Sequence, residues 1–216
     1  MRLSHTLLAA AALALATGAQ AQVSGTTIAP FSGPYLTLTS AGLAPSGSFA
    51  GATLTGGTVY GTDMAFADMP KGAGAATVGN FLAAGPTSGS PATLTFNAPV
   101  KDVSFLWGSP DLYNLLTVTT TAGVQTFVAD PSLANAAAAS LGFAQANGNQ
   151  DFSQYVRFVA QGSSSILSLS FSNQPSADAF EASNFSVTLV PEPSTYALML
   201  AGLSVAGFMV KRRRMG

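Results

Sequence analysis

The sequence predicts an all-β domain between residues 22 and 190, an antiparallel β-sandwich of jelly-roll type with one short helix. Short runs rich in Val, Ile, Thr, Phe and Tyr are separated by clusters of Gly, Pro, Ser and Asn, which is typical of strands joined by turns. Several runs alternate apolar and hydroxyl side chains, as strands do when one face is buried. The length of 216 residues suits one such domain, with a signal helix before it and a transmembrane helix after it.

Nine strands account for most of this body. In the last but one of them, Leu167, Leu169 and Phe171 are expected to share one face, opposite Ile166, because side chains alternate along a strand. The predicted strands are residues 35–39, 52–60, 92–96, 102–107, 115–121, 124–128, 155–160, 165–171 and 185–190.

Residues 130–142 break the strand pattern and predict the short helix. Asp130 is a suitable N-cap, Pro131 fits the first helical position, and Gly142 fits the position after the last turn. The Gly-, Ala- and Ser-rich stretches at 42–51 and 71–91 are predicted to be loops.

The composition excludes several classes of site. The chain has no cysteine, and its one histidine is His5, so a mature domain beginning at residue 22 has no thiolate or imidazole for a catalytic triad or a zinc site. Between residues 22 and 194 there are three basic residues and nine carboxylates. Nucleic-acid binding needs clustered Lys and Arg side chains that neutralise phosphates. We therefore expect no nucleic-acid partner.

The first 21 residues have the order of a secretory signal peptide. Arg2 gives the N-terminal region its positive charge, and residues 7–16 are apolar. Ala19 and Ala21 form a small-x-small cleavage site. We expect export through the Sec translocon and cleavage by signal peptidase, which would leave Gln22 as the mature N-terminus.

The last 26 residues combine three features in a fixed order. The tripeptide Pro191, Glu192 and Pro193 is followed by an uncharged run at 195–210 and by four bases at the end of the chain. A helix over 195–210 would be about 24 Å long. Flanking Lys and Arg side chains can extend towards the polar head groups, so that the helix spans a bilayer. By the positive-inside rule the bases stay cytoplasmic. They are Lys211, Arg212, Arg213 and Arg214.

This C-terminal arrangement resembles the PEP-CTERM sorting signal over residues 191–216. The resemblance implies that a membrane-embedded exosortase recognises Pro191, Glu192 and Pro193 and removes the tail. It also implies a precursor tethered to the inner membrane and a mature protein at the cell surface or outside the cell. An ordinary Pro-rich linker before a plain membrane anchor is the alternative.

A second resemblance covers roughly residues 100–190. The run 107–114 is similar to the W-G-S-x-D-x-Y-N signature of one group of exosortase-dependent surface proteins, and 148–150 and 179–184 are similar to two further stretches of that group. Ser183 stands where an acid is usual, which weakens the inference of a cation site there. This resemblance implies a shared fold and a surface role, but no activity.

Two sets of residues are candidates for ligand binding. Trp107, Asp111, Tyr113 and Asn114 could hold a sugar, although Trp107 shares its parity with core residues and Asx side chains at such a loop commonly cap turns. We predict no cofactor, with Ca²⁺ left open at a second set of oxygen ligands. That set is Asp178, Glu181 and Asn184.

The sequence therefore predicts a protein that is not an enzyme, namely an exported surface or extracellular-matrix protein associated with exopolysaccharide or biofilm. A carbohydrate-binding adhesion module is the first alternative. A glycoside hydrolase, which would need two carboxyl groups within about 10 Å of each other, is the more remote one.

Overall fold

The computed structural model describes residues 23–30, 34–72, 74–135, 138–142, 148–173, 178–190, 198–204 and 209. Within these ranges nearly all of the regular secondary structure is β-strand, which confirms the all-β prediction. The strands are β1 (Val23–Thr27), β2 (Leu38–Thr39), β3 (Gly42–Leu43), β4 (Ala52–Thr55), β5 (Thr58–Tyr60), β6 (Lys71–Gly72), β7 (Ala75–Ala76), β8 (Phe81–Ala84), β9 (Ala92–Gly108), β10 (Leu115–Thr120), β11 (Gly123–Val128), β12 (Ala138–Ser140), β13 (Gln154–Ala160), β14 (Ile166–Ser172) and β15 (Phe180–Leu189).

The 17-residue strand β9 belongs to two layers of the fold. Its first half pairs with β4 and β14, and its second half pairs with β13 and β15. The first layer has the order β2-β3-β4-β9-β14-β10-β11-β12, and the second has the order β1-β13-β9-β15-β8-β5. Strand pairs are antiparallel throughout the described part, except for the parallel pair of β11 and β12.

Aromatic side chains fill the space between the two layers. Phe105 of the second layer meets Phe171 of the first edge to face at 5.4 Å, and Phe127 meets Phe158 in the same manner at 4.9 Å. These four rings are almost completely buried. Burying each such side chain stabilises the fold by roughly 1.5–3 kcal/mol, so this aromatic core holds the sandwich together.

Several predicted strand boundaries were wrong, including that of 35–39, of which only Leu38–Thr39 is a strand. Residues 92–96 and 102–107 belong to the single strand β9, whereas 52–60 is divided into β4 and β5 by Gly56 and Gly57, whose φ angles are 70° and 68°. A Cβ atom on Gly57 would lie 2.4 Å from Ala92 Cβ. Only glycine suits this corner, because it combines a left-handed conformation with a close approach of the chain.

The buried face of β14 differs from the prediction. Ile166, Leu169 and Phe171 are buried, while Leu167 is only partly covered. The pairing with β9 shifts register between Ile166 and Ser168. Such a bulge adds a residue and changes which face the neighbouring side chains occupy.

The predicted helix at 130–142 was wrong except for its first turn. Residues Pro131–Leu133 form a 3-10 turn whose N-cap is Asp130, and the Asp130 carboxylate accepts a hydrogen bond from Ser132 N. The alanines that follow instead contribute to β12, which pairs with β11. The helix preference of alanine is worth only tenths of a kcal/mol per residue, so pairing with a sheet edge outweighs it.

The predicted loops at 42–51 and 71–91 contain strands. β8 is buried on both faces between β15 and β5, so its apolar run lacks the alternation by which strands are recognised. The edge strand β1 was also missed, and residues Val23–Thr27 pair with β13.

The segment from Gly61 to Asn80 lies over the outer face of the second layer. It encloses a small second apolar cluster that includes Phe81 and Ala67. Polar contacts fix its far end, since Thr77 Oγ1 lies 2.8 Å from Ser183 Oγ and Val78 N donates to Asn184 Oδ1 at 2.7 Å. This covering segment supplies one wall of the candidate site.

Several predictions concern residues beyond the described ranges. The signal peptide, the tripeptide at 191–193 and the bases at 211–214 are among them, as is part of the predicted span at 195–210. Residues 198–204 are helical and exposed. In the described part of the chain, no helix is both long and apolar enough to span a membrane.

Candidate functional site

Three of the predicted ligand residues meet at one end of the second layer. There β9 ends at Gly108 directly opposite Glu181 of β15, and the chain between β9 and β10 places Asp111 nearby. Together with Asp178 they line a narrow cavity of about 50 Å³. The remaining lining residues are Ala65, Phe66, Ala67, Asp68, Ser109, Gly148 and Gln150.

The Asp111 carboxylate organises the connection between β9 and β10. It accepts hydrogen bonds from Ser109 Oγ at 3.1 Å, from Tyr113 Oη at 2.9 Å and from Gly148 N at 2.9 Å. Burial and the adjacent Asp111 charge raise the pKa of Tyr113, so its hydroxyl keeps the proton that it donates. With three donors around a side chain that is only 2% exposed, Asp111 joins two loops to each other.

Two further residues shape the same connection. Ser109 is buried and has a φ of 35°, a left-handed conformation that is uncommon outside glycine. Asn114 is fully buried and donates through Nδ2 to Ser109 O at 3.2 Å, while its Oδ1 has no hydrogen-bond partner in the described structure. Asn114 therefore supports the loop from beneath and does not reach the cavity lining.

Glu181 is the buried carboxyl group of the cavity and is only 2% exposed. Burial raises the pKa of Glu181 well above its ordinary value, and the Asp111 and Asp68 carboxylates raise it further. Hydrogen bonds from Gln150 and from the Asp68 N–H oppose this rise, and the Gln150 contact is long, at 3.4 Å. The protonated carboxyl is thus favoured by its surroundings.

Gly108 allows β15, the 148–150 loop and the covering segment to approach each other closely. A Cβ atom at this position would lie 2.8 Å from Glu181 Cβ, from Gln150 Oε1 and from Pro70 Cγ. All three distances are below any normal contact between a Cβ atom and a neighbour. The glycine between Trp107 and Ser109 therefore has a packing role in bringing the covering segment, the 148–150 loop and β15 together.

Two predicted binding residues have no access to a ligand at this cavity. Trp107 is fully buried and stacks on Phe180 with ring centroids 4.3 Å apart. Asn184 lies further along β15, where its Nδ2 donates to Ala76 O at 2.8 Å and to Tyr155 Oη at 2.7 Å. Its φ of 52° marks the bulge that turns it towards the covering segment.

The predicted calcium ligands do not converge on one point. Asp178 and Glu181 line the cavity, but Asn184 is engaged by the covering segment. Among the described residues, no group of three or more acidic, histidine or cysteine side chains is arranged to hold a metal ion. Asp68 and Phe66 are not among the predicted site residues, because their segment has no recognisable motif. Gln150 lies in the stretch 148–150, which is similar to the surface-protein group.

A second surface of interest is the outer side of the first layer. Threonine and serine side chains from five adjacent strands stand there in two rows, which we call the hydroxyl face. One row is Thr55, Thr93, Ser170, Thr117 and Thr126, and the other is Thr53, Thr95, Ser168 and Thr119. Each residue is the direct register partner of its neighbour in the row.

The hydroxyl face has a regular geometry and carries no charge. Neighbouring residues within a row are about 4.8 Å apart, and the rows are about 6.7 Å apart. The hydroxyls of Thr93 and Ser170 are 3.0 Å apart, and those of Thr117 and Thr126 are 3.3 Å apart. Thr53, Thr55 and Thr95 are exposed and the other members are half-buried. The two rows are therefore open to solvent in the described structure.

The last strand leads directly to the predicted sorting signal. β15 ends at Leu189, whose register partner is Val100, and Val190 is 36% exposed. Only Val190 separates the end of this interior strand from Pro191.

Comparison with known proteins identifies this C-terminal region and no other. The sequence profile of one family, described as the PEP-CTERM protein-sorting motif, matches residues 189–214. No curated protein matches the chain. No solved structure matches it either. The prediction of a sorting signal at the C-terminus is thereby confirmed, whereas the W-G-S-x-D-x-Y-N resemblance stays a prediction.

Proposed function

We propose that this chain, an exported protein that carries the PEP-CTERM sorting motif at residues 189–214, serves outside the cell as a non-catalytic matrix protein that associates with exopolysaccharide. The sorting motif indicates an extracellular protein that is processed by an exosortase and anchored in the membrane beforehand. The association with polysaccharide, and through it with biofilm, is the proposed part.

The observation that supports this proposal is the hydroxyl face. A hydroxyl group both donates and accepts hydrogen bonds, as do the hydroxyls of a sugar polymer. Two uncharged rows in register can therefore meet successive units of a neutral polysaccharide. The ordinary role of such residues is to stabilise strands through cross-strand pairs, and the experiment below separates the two roles.

The twist of the sheet favours a flexible polymer as the ligand. Adjacent strands rotate by about 20–25° relative to each other, so five strands do not form a flat plane. A rigid planar lattice would touch only part of this face, whereas a single polymer chain can follow its curvature.

The acid-lined cavity supports a non-catalytic role. The Asp111 carboxylate is occupied by three donors, and Glu181 is buried in a cavity of about 50 Å³. A glycosidase needs two carboxyl groups that reach opposite sides of one sugar bond. We assign the cavity a structural role and expect no hydrolysis of polysaccharide by the purified domain.

The proposal is tested by removing hydroxyls without changing shape. In the mature protein, Thr95→Val and Ser168→Ala together should weaken binding to the host's purified exopolysaccharide several-fold in affinity electrophoresis. Thr188→Val is the matched control, since Thr188 is an exposed strand threonine on the second layer. Unchanged binding by the double variant, with an unchanged melting temperature, would exclude the hydroxyl face as the binding surface.

A further inference from the structure

Both ends of the folded domain leave from the same end of the second layer. β1 begins at Val23, whose register partner is Ala160 of β13. β15 ends at Leu189, opposite Val100 of β9. The four strands are adjacent in the order β1-β13-β9-β15, so the two exits are three strand spacings apart, or about 14 Å.

The chain segments beyond these exits are short. Cleavage at the predicted site leaves only Gln22 before β1. On the other side, residues 190–194 separate β15 from the apolar run at 195–210, and five residues reach at most about 18 Å. Because the protein is anchored in the membrane before processing, this end of the domain cannot move far from the bilayer surface.

The acid-lined cavity lies at the opposite end of the same layer. Glu181 and Leu189 are eight residues apart on β15, which corresponds to about 26 Å along the strand. Asp68, Asp111 and Asp178 are at the Glu181 end. A distance of about 26 Å exceeds the Debye length at physiological ionic strength, about 8 Å, so these carboxylates avoid repulsion from anionic lipids.

The exit end lacks the excess of carboxylates found at the cavity end. Arg157 pairs with Asp102 at 2.8 Å, and no other ion pair occurs in the described structure. Lys101 Nζ donates to Gly162 O at 2.8 Å and has no carboxylate partner there. Among the described residues, the exit end therefore has no carboxylate without an ion-pair partner, and Glu192 in the segment that leads to the membrane offsets the Lys101 charge.

We propose that the tethered precursor stands upright on the membrane. The end formed by the 161–165 turn, Lys101 and Leu189 faces the phospholipid head groups, and the end formed by the 109–114 and 148–150 loops points away. The hydroxyl face is then a lateral surface that stays accessible before processing. This orientation rests on the sorting motif and is independent of polysaccharide binding.

The absence of cysteine makes a direct test simple. The tethered protein, residues 22–216, is prepared with Ser163→Cys or Leu112→Cys, both at exposed turn positions. Each variant is labelled with a fluorophore and reconstituted in vesicles of phosphatidylethanolamine and phosphatidylglycerol. A nitroxide on the lipid head groups is the short-range quencher. We expect quenching at residue 163 to be several-fold stronger than at residue 112.

Two controls make the result unambiguous. Thr188→Cys and Phe66→Cys form a second pair at the two ends, in case one variant fails to fold. Removal of residues 191–216 should abolish quenching at every position. Equal quenching at both ends, or stronger quenching at residue 112, would overturn the upright orientation. Failure of residues 22–216 to float with vesicles would overturn it as well, by removing the tether, and would leave polysaccharide binding to its own test.

Discussion

Gly108 and Glu181 face each other across β9 and β15 so closely that a Cβ atom on Gly108 would lie 2.8 Å from Glu181 Cβ. The same atom would also meet Gln150 and Pro70. This single position thus determines how three separate parts of the chain close over the cavity.

Gly108→Ala should destabilise the domain by about 1–3 kcal/mol, the usual cost of inserting a carbon into a packed site. The free energy of unfolding in urea measures this. Gly61→Ala is the control, because its new Cβ would meet only the Asn80 side chain, at 3.2 Å. Equal loss in both variants would show that Gly108 is not special in its packing.

Glu181→Gln should change how stability depends on pH. Burial raises the pKa of Glu181 in the folded state, so the folded protein holds this proton more tightly than the unfolded chain does. The protonated Glu181 side chain contributes fully to stability below its pKa in the unfolded chain, about 4.3. This contribution is lost as the pH rises through its pKa in the folded protein.

Glutamine keeps the shape and cannot ionise. The variant should therefore be more stable than the wild type at neutral pH, with a flatter profile of unfolding free energy between pH 4 and pH 9. Asp178→Asn removes an exposed carboxylate from the same cavity. This variant should keep the wild-type dependence of the unfolding free energy on pH. A wild-type slope that persists in Glu181→Gln would contradict the assignment.

Asp111→Ala should destabilise the domain by about 2–3 kcal/mol, because it leaves buried donors without their charged acceptor. Tyr113→Phe removes one of the three hydrogen bonds and should cost about 1 kcal/mol. If Asp111 joins the two loops as described, hydrogen exchange at Gly148 N should accelerate in Asp111→Ala and stay slow in Tyr113→Phe. No change at Gly148 in either variant would argue against that bond.

Changes in the sorting motif should alter where the protein is found. Removal of residues 191–216 should release the protein from the membrane fraction without processing, whereas loss of the host exosortase should leave a larger, membrane-bound form. Fractionation with intact mass measurement distinguishes the two. An unchanged distribution and mass in both cases would contradict exosortase processing.

The strands predicted correctly are those with one buried and one solvated face. Leu94 and Phe96 are buried while Thr93 and Thr95 face outward, and this alternation can be read directly. β8 was not predicted because both of its faces are covered. The alanines of β12 were not predicted as a strand because pairing with β11 determines their conformation.

The candidate site was predictable only in part, for a similar reason. Asp111 and Glu181 were singled out from their local stretches, but nothing local indicates that residues 70 positions apart meet at the end of β9. Asp68 depends on how the covering segment folds back. The two rows of the hydroxyl face depend on register, which pairing across five strands sets and no single strand contains.

The shared strand β9 also determines the order in which the sandwich can be completed. Its partners range from β4 to β15, so the sandwich cannot close until the last interior strand has been added. Folding that depends on such distant pairings is slow. Until β15 is available, the described domain has no complete second layer. Folding therefore ends with the strand that leads directly to the C-terminal sorting motif.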